Sequence, residues 1–283
     1  MKTFKYIATI YPTIVEQMCS VAISAGEKIM DVYSSNDFGV ETKKDESPIT
    51  LADRLSDDLI VESLSSKFPE IPIISEENFS KPATAMHEIY FLVDPLDGTK
   101  EFIKKTGEFT VNIALIVNTK AELGVVYVPY TRELYYRDLN GASYLVKGVD
   151  YHGGRGHCTQ ISCRVVDYEN LSVVKSLSHS SSETEAYIAQ YSPKKTESAG
   201  SSLKFGLIAR GISDLYPRLG RTMEWDTGAA HAVLKGAGGN VRRLDTLQEL
   251  SYGKPGMDNP FFVAAAQNMD LIVFNNEQKI NLN

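Results

Sequence analysis

The ten residues Val93-Asp94-Pro95-Leu96-Asp97-Gly98-Thr99-Lys100-Glu101-Phe102 constrain this chain more than any other stretch. They continue the apolar run Ile89 to Val93, whose composition predicts a buried strand. Two carboxylates stand three residues apart with a proline between them, and a glycine and a hydroxyl follow at once. A strand that ends in carboxylates and turns through glycine into a helix start can hold cations and an anion together. The carboxylates are hard oxygen ligands. Gly98 lets backbone come close, and the N–H groups of Thr99 and Lys100 can face a phosphate. The same residue types also make ordinary surface turns, so the rest of the chain has to decide.

The chain has 283 residues, enough for one large core or two lobes. Its formal net charge of −7 argues against broad binding to nucleic acid or anionic membrane. A small phosphorylated ligand held by a few local cations is compatible with it. The cysteines, Cys19, Cys158 and Cys163, are odd in number and share no spacing, which points to a reducing compartment rather than a disulfide framework. His157-Cys158 with Cys163 has no second metal-type pair and makes a poor zinc site. The first residues, Met1 to Ile7, lack the continuous apolar segment and cleavage site of a signal peptide. No apolar run is long enough to span a bilayer.

Apolar residues from Ile14 to Ile29 recur at helical spacing and predict a packing helix over about Tyr11 to Tyr33. Thr50 predicts an N-cap with Asp53 as its capping-box acid, and Leu55, Leu59 and Leu64 predict the buried stripe of that helix. Short strands are expected at Ile71 to Ser75, Val111 to Val117, Leu123 to Val128, Leu171 to Lys175, Asp214 to Tyr216 and Phe261 to Ala265. Residues 138 to 170 predict loops and short edge strands. Ser201 or Ser202 is placed to cap a helix through Leu203, Phe205, Leu207 and Ile208 to Gly211. Trp225-Asp226 opens another over Thr227 to Lys235, which Gly236, Gly238 and Gly239 end. Interleaved strands and helices favour a layered α/β or α+β body.

Acids recur at strand ends and helix starts: Asp53, Glu76, Asp94, Asp97 and Asp226. Gathered in one pocket they would protonate or repel unless cations balanced them. An oxygen-only donor set favours magnesium over zinc, and two such ions suit in-line attack on phosphorus. Taken singly, Asp53 and Asp226 read equally as helix-terminal acids, and Glu76 with Glu77 as a solvated turn.

Three motifs in order carry a resemblance: Ser75-Glu76-Glu77, then Asp94-Pro95-Leu96-Asp97-Gly98-Thr99, then Trp225-Asp226 followed by small residues. Together they resemble the inositol monophosphatase superfamily. Glu101 to Lys104, Gly107 to Asn112, Gly200-Ser201-Ser202-Leu203-Lys204 and Tyr216-Pro217-Arg218 resemble its 3'(2'),5'-bisphosphate nucleotidase branch, over about Val15 to Phe262 and least between residues 138 and 170. The resemblance implies a sandwich of alternating helix and sheet layers, forming a single catalytic domain over residues 1–283, with two lobes and the active site between them.

It also implies roles. Glu76 would serve a first metal, Asp94 would bridge two, Leu96 would ligate through its carbonyl, and Asp97 and Asp226 would complete the second, with two or three magnesium ions in all. Asp53 with Thr99 would polarise the attacking water, and Gly98 and Thr99 would offer N–H groups to the scissile phosphate. Lys44 and Glu77 would stand close by. Ser201, Lys204, Arg218 and His179 would hold the other phosphate of a small bisphosphorylated nucleotide. Unaided, Lys204 and Arg218 read as solvated cations beside a helix cap. The chain departs from the pattern at Leu177, where arginine is common, and at Gly228, where alanine is common.

The activity so implied is hydrolysis of adenosine 3',5'-bisphosphate to AMP and phosphate without a phosphoenzyme. It belongs to recycling in sulfate assimilation, is lithium-sensitive, and also accepts the sulfated analogue. The implied setting is a bacterial cytoplasm, with peripheral attachment at the inner membrane left open, and the assembly a monomer or homodimer. The alternatives are an inositol monophosphatase or sugar phosphatase with the same metals, and a non-catalytic phosphate-binding protein.

Overall fold

The computed structural model describes residues 7, 9, 11–35, 38–42, 48–79, 87–150, 156–178 and 181–274. Helix α1 (Ile14–Tyr33) buries Ile14, Met18, Val21, Ala22, Ala25 and Ile29, the face that its periodicity predicts. A short pair, β1 (Glu41–Thr42) and β2 (Pro48–Ile49), leads into α2 (Leu51–Lys67). The expected cap is present. Ala52 N–H donates to Thr50 Oγ1 (3.2 Å), and Thr50 N–H donates to Asp53 Oδ2 (2.7 Å).

The buried face of α2 differs from the expected leucine stripe. Leu55 is 38% exposed. The buried residues are Ala52, Asp53, Ser56, Asp57, Ile60 and Leu64. Spacing identifies a helical face but not what it meets. Here the first turns of α2 meet polar loops that carry the site, so the polar side chains face inward there.

Strands β3 (Ile73–Ser75) and β4 (Ile89–Asp97) precede the one-turn helix α3 (Thr99–Ile103). Strands β5 (Thr110–Val117), β6 (Lys120–Val128), β7 (Glu133–Arg137), β8 (Ser143–Lys147) and β9 (His157–Ile161) follow. These seven strands form one sheet in chain order, with β3 parallel to β4 and every later pairing antiparallel. Residues 138 to 170 thus supply the last two strands, as expected. Between Asp94 and Asp97 the register of β4 on β5 shifts, with Asp94 opposite Asn112 and Asp97 opposite Thr110. Pro95 has no N–H to give the ladder, and a bulge at that point re-aims the strand end.

The second sheet has five strands in the order β11-β10-β12-β14-β13. Its elements in chain order are β10 (Ser172–Ser176), α4 (Ser182–Ala189), β11 (Lys195–Ala199), α5 (Leu203–Ala209), β12 (Leu215–Arg218), α6 (Gly228–Gly236), β13 (Asn240–Arg243) and β14 (Phe262–Ala265). Three hydrophobic clusters separate the layers. Side chains alternate along the seven-stranded sheet: Phe91, Val93, Ile113 and Leu115 pack with α1 and α2, whereas Tyr90, Leu92, Ala114 and Ile116 pack with α5 and α6. Those two helices are covered beyond by Val174, Tyr216 and Phe262 of the five-stranded sheet. Val173, Leu215 and Val263 face the other way and pack against Tyr187 and Ile188 of α4. The result is the expected alternation of helix and sheet layers.

Gly228 has a local reason. A Cβ there would lie 3.1 Å from Leu92 Cδ2 and 3.2 Å from Ala114 Cβ, so an alanine would need those side chains to give by a few tenths of an ångström. The three cysteines are free. Among the described residues, no helix is long and apolar enough to cross a membrane.

Candidate active site

The end of β4, the start of α3, the loop before α5 and the end of β12 surround a cleft of about 260 Å³. One wall is acidic. Carboxylate oxygens of Glu76, Asp94 and Asp226 lie within 4.8 Å of one another, from β3's end, β4 and the approach to α6. Asp94 is fully buried and accepts the Leu96 N–H on Oδ1 (3.1 Å). Asp226 Oδ2 accepts the Met223 N–H (2.8 Å). Burial, and then the charges of Asp97 and Glu76, push the Asp226 carboxyl well above the usual carboxylate range. Three hard oxygen donors this close, one of them driven toward protonation, match the donor chemistry of a divalent cation, whose charge would remove the repulsion. Next to them, Trp225 is 6% exposed with its ring edge-on to Phe79 at 5.4 Å between centroids.

Gly98 makes the turn from β4 into α3 at φ +94°, where a side chain would be strained and its Cβ would lie 3.1 Å from the Glu108 carbonyl. The turn brings Thr99 Oγ1 to 3.1 Å from Asp53 Oδ1 and 3.4 Å from the Leu96 carbonyl. Asp53 is 2% exposed, and its other oxygen is occupied by the N-cap. The sequence-based pairing of Asp53 with Thr99 is therefore a contact.

Asp97 stands apart from the tight trio. Its Oδ2 accepts from Ser201 Oγ (2.6 Å) and Ser202 Oγ (3.1 Å), with Asn112 Nδ2 at 3.4 Å and Thr110 Oγ1 at 3.5 Å. One expectation is corrected here. Ser202 occupies the N-cap position of α5 but makes no side-chain cap; its hydroxyl lies near Asp97 and the Asp226 carbonyl instead. Ser201 lines the same cleft as Lys204 and Arg218, and its hydroxyl contacts Asp97 and Thr110. Thr110 and Asn112 were missed as site residues. Their signal was two polar residues at i and i+2 in an apolar strand, which places both on one face of β5.

The opposite wall is basic. Lys204 and Arg218 are 5% and 9% exposed, not solvated cations. Lys204 Nζ donates to the Ser201 carbonyl and sits 5.1 Å from the centroid of the Tyr216 ring. Burial lowers its pKa to about 8. Arg218 Nη2 donates to the Arg221 carbonyl (3.0 Å), while its Nε is buried with no hydrogen-bond partner among the described residues. A buried guanidinium N–H without an acceptor is costly unless a ligand supplies one. Gly200 N–H is pinned by Glu108 Oε2 (2.7 Å), which fixes the loop that carries Lys204. His179 and Lys44 lie outside the described residues. Leu177 is 48% exposed beside this wall.

Comparison with known proteins gives the family. Residues 12–274 match the inositol monophosphatase family model. The 3'(2'),5'-bisphosphate nucleotidases CysQ of Salmonella typhimurium and Escherichia coli K12 are each 42% identical over 248 residues, which cover 85% of this chain and 97% of theirs. The crystal structure of CysQ from Bacteroides thetaiotaomicron superposes with a TM-score of 0.78 at 37% identity, over 90% of this chain and 98% of that one. An inositol monophosphatase from Anabaena, 21% identical with a TM-score of 0.67 over 92% of each chain, shares the fold. The chain belongs to the inositol monophosphatase family, in its CysQ-type branch.

Proposed function

We propose that this enzyme hydrolyses the 3'-phosphate of adenosine 3',5'-bisphosphate, giving AMP and phosphate. One observation carries the reading: a carboxylate trio and a buried Lys204–Arg218 pair face each other across one cleft. An enzyme for simple monoesters needs the first wall but has no use for two buried cations on the second. Residues 1–283 act as a single catalytic domain, with the cleft between the two sheets as its active site.

Glu76, Asp94 and Asp226 would hold magnesium, with Asp97 and the Leu96 carbonyl as further ligands for a set of two or three ions. When bound, the ions supply Lewis acidity, which acidifies a water and offsets the charge of the phosphoryl oxygens. Thr99 Oγ1 accepts a proton from the attacking water and passes its own to Asp53 Oδ1 at 3.1 Å. N–H groups at Gly98 and Thr99 steady the scissile phosphate. Lys204 and Arg218 bind the phosphate that stays, and the sequence resemblance adds Ser201 and His179 to that role. The substrate is a small nucleotide, and the by-product of sulfate assimilation suits it; lithium competes for a magnesium position.

Phosphate release with magnesium, measured in parallel on adenosine 3',5'-bisphosphate, inositol 1-phosphate and fructose 1,6-bisphosphate, tests this. The nucleotide is expected to lead by about 10²-fold or more in kcat/KM. A lead for inositol 1-phosphate keeps the acidic wall and discards the phosphate clamp. No turnover of any of the three discards the enzyme reading.

A further inference from the structure

Three polar side chains on one face of α2 are buried, and each reaches a different part of the acidic wall. Asp53 meets Thr99. Ser56, 0% exposed, donates to the Pro95 carbonyl at 2.7 Å, inside the bulge between Asp94 and Asp97. Asp57, 4% exposed, accepts from Ser75 Oγ on one oxygen and from Asn78 Nδ2 on the other. Ser75 and Asn78 bracket Glu76 in a single turn of 3-10 helix. Asp53 has a part in the chemistry proposed above; Ser56 and Asp57 have none.

We propose that Asp57 is a positioning residue that sets the Glu76 carboxylate for its cation, and that Ser56 does the same for Asp94 through Pro95. The inference rests on the reading that Glu76 and Asp94 hold a divalent cation. Its argument is geometric. Residues 53, 56 and 57 lie at i, i+3 and i+4 and share one helix face. One rigid element therefore grips the β3 turn, the β4 bulge and the start of α3. A buried carboxylate is a poor choice for stability alone, because an apolar side chain of similar volume packs as well without desolvating a charge. Its two oxygens instead hold Ser75 and Asn78, which have only Glu76 and Glu77 between them. Groups that orient metal ligands in this way govern affinity for the metal.

The test uses the full chain and Mn²⁺, with free Mn²⁺ followed by electron spin resonance. Asp57→Asn removes the charge and one of the two acceptors, so that either Ser75 Oγ or the Asn78 amide must give up its donor role, and is expected to weaken Mn²⁺ binding by about 10- to 100-fold. Adding Asn78→Asp exchanges donor and acceptor across the same contact, and is expected to restore affinity to within about threefold of wild type. Turnover of Asp57→Asn at saturating Mn²⁺ is expected to return close to that of wild type. Ser75→Ala removes one donor with little change in volume; it is expected to weaken binding severalfold, and it carries the test if Asp57→Asn does not fold. Folded Asp57→Asn that binds Mn²⁺ as wild type does, or a double variant that fails to recover, overturns the inference. Unfolded Asp57→Asn together with unchanged binding by Ser75→Ala overturns it too. Wild-type protein that binds no Mn²⁺ overturns the metal reading itself, a separate failure.

Discussion

On one wall of the cleft, Asp94, Leu96, Asp97 and Thr99 lie within six consecutive residues. On the other, Lys204 and Arg218 come from α5 and β12, which are separate elements. The acidic wall is centred on one bulged strand end, which Glu76 and Asp226 join from two other segments, and its charges repel until a cation joins them. The basic wall is assembled from distant pieces, and its charges are buried beside carbonyls and an aromatic ring. The first wall suits the reaction common to the family; the second suits the choice of substrate. Chemistry can be local in sequence because reacting groups must be close together. Specificity is set by whatever lines the far side of the pocket.

If the walls are separable in this way, Asp94→Asn disables every substrate alike. Its kcat/KM is expected to fall by at least about 10³-fold, or about 4 kcal/mol, for bisphosphate and monoester together. A loss confined to one substrate breaks the comparison. Lys204→Met is the converse: it should cost about 10²-fold on adenosine 3',5'-bisphosphate and leave slow monoester hydrolysis within a few fold.

The pH dependence sharpens the contrast. Burial holds Lys204 near pKa 8, so the free protein loses this charge as pH rises through that value. KM for the bisphosphate is therefore expected to rise by up to about tenfold between pH 7 and 9, a dependence absent in Lys204→Met. Folding carries its own sign. From about pH 8 up to the ordinary value of 10.5, the unfolded chain holds a proton that the folded one has released, so stability rises across that window. Thermal unfolding of wild type against Lys204→Met measures it. The smallest effect is expected from Leu177→Arg, which adds an exposed cation at the rim of the basic wall; KM for the bisphosphate should fall by about threefold or less.

The acidic wall was readable because its centre, Asp94 to Thr99, is contiguous and its residue types are unusual in that order, and because Glu76 and Asp226 each sit in a short motif of their own. The layered fold was readable from the interleaving of strands and helices. What the sequence hid was environment. Lys204 and Arg218 look like any surface cations until Tyr216 and the Ser201 carbonyl close over the lysine. Leu55 has the right spacing for a core stripe, yet Ser56 and Asp57 face inward because that end of α2 packs on polar turns. Ser202 has the chemistry of a cap, but Asp97 competes for its hydroxyl. In each case the residue type was informative and its partner, distant in sequence, decided its role.

The chain contains one tryptophan. Trp225 adjoins Asp226, and its ring contacts Phe79, three residues beyond Glu76. Its intrinsic emission is thus a label-free optical reporter placed on the acidic wall, with no background from a second indole. Drawing Glu76 and Asp226 together would change the ring's surroundings, whereas an anion settling against Arg218 would do so far less. A fluorescence titration with cation and then with nucleotide can thus follow the loading of the two walls as separate events.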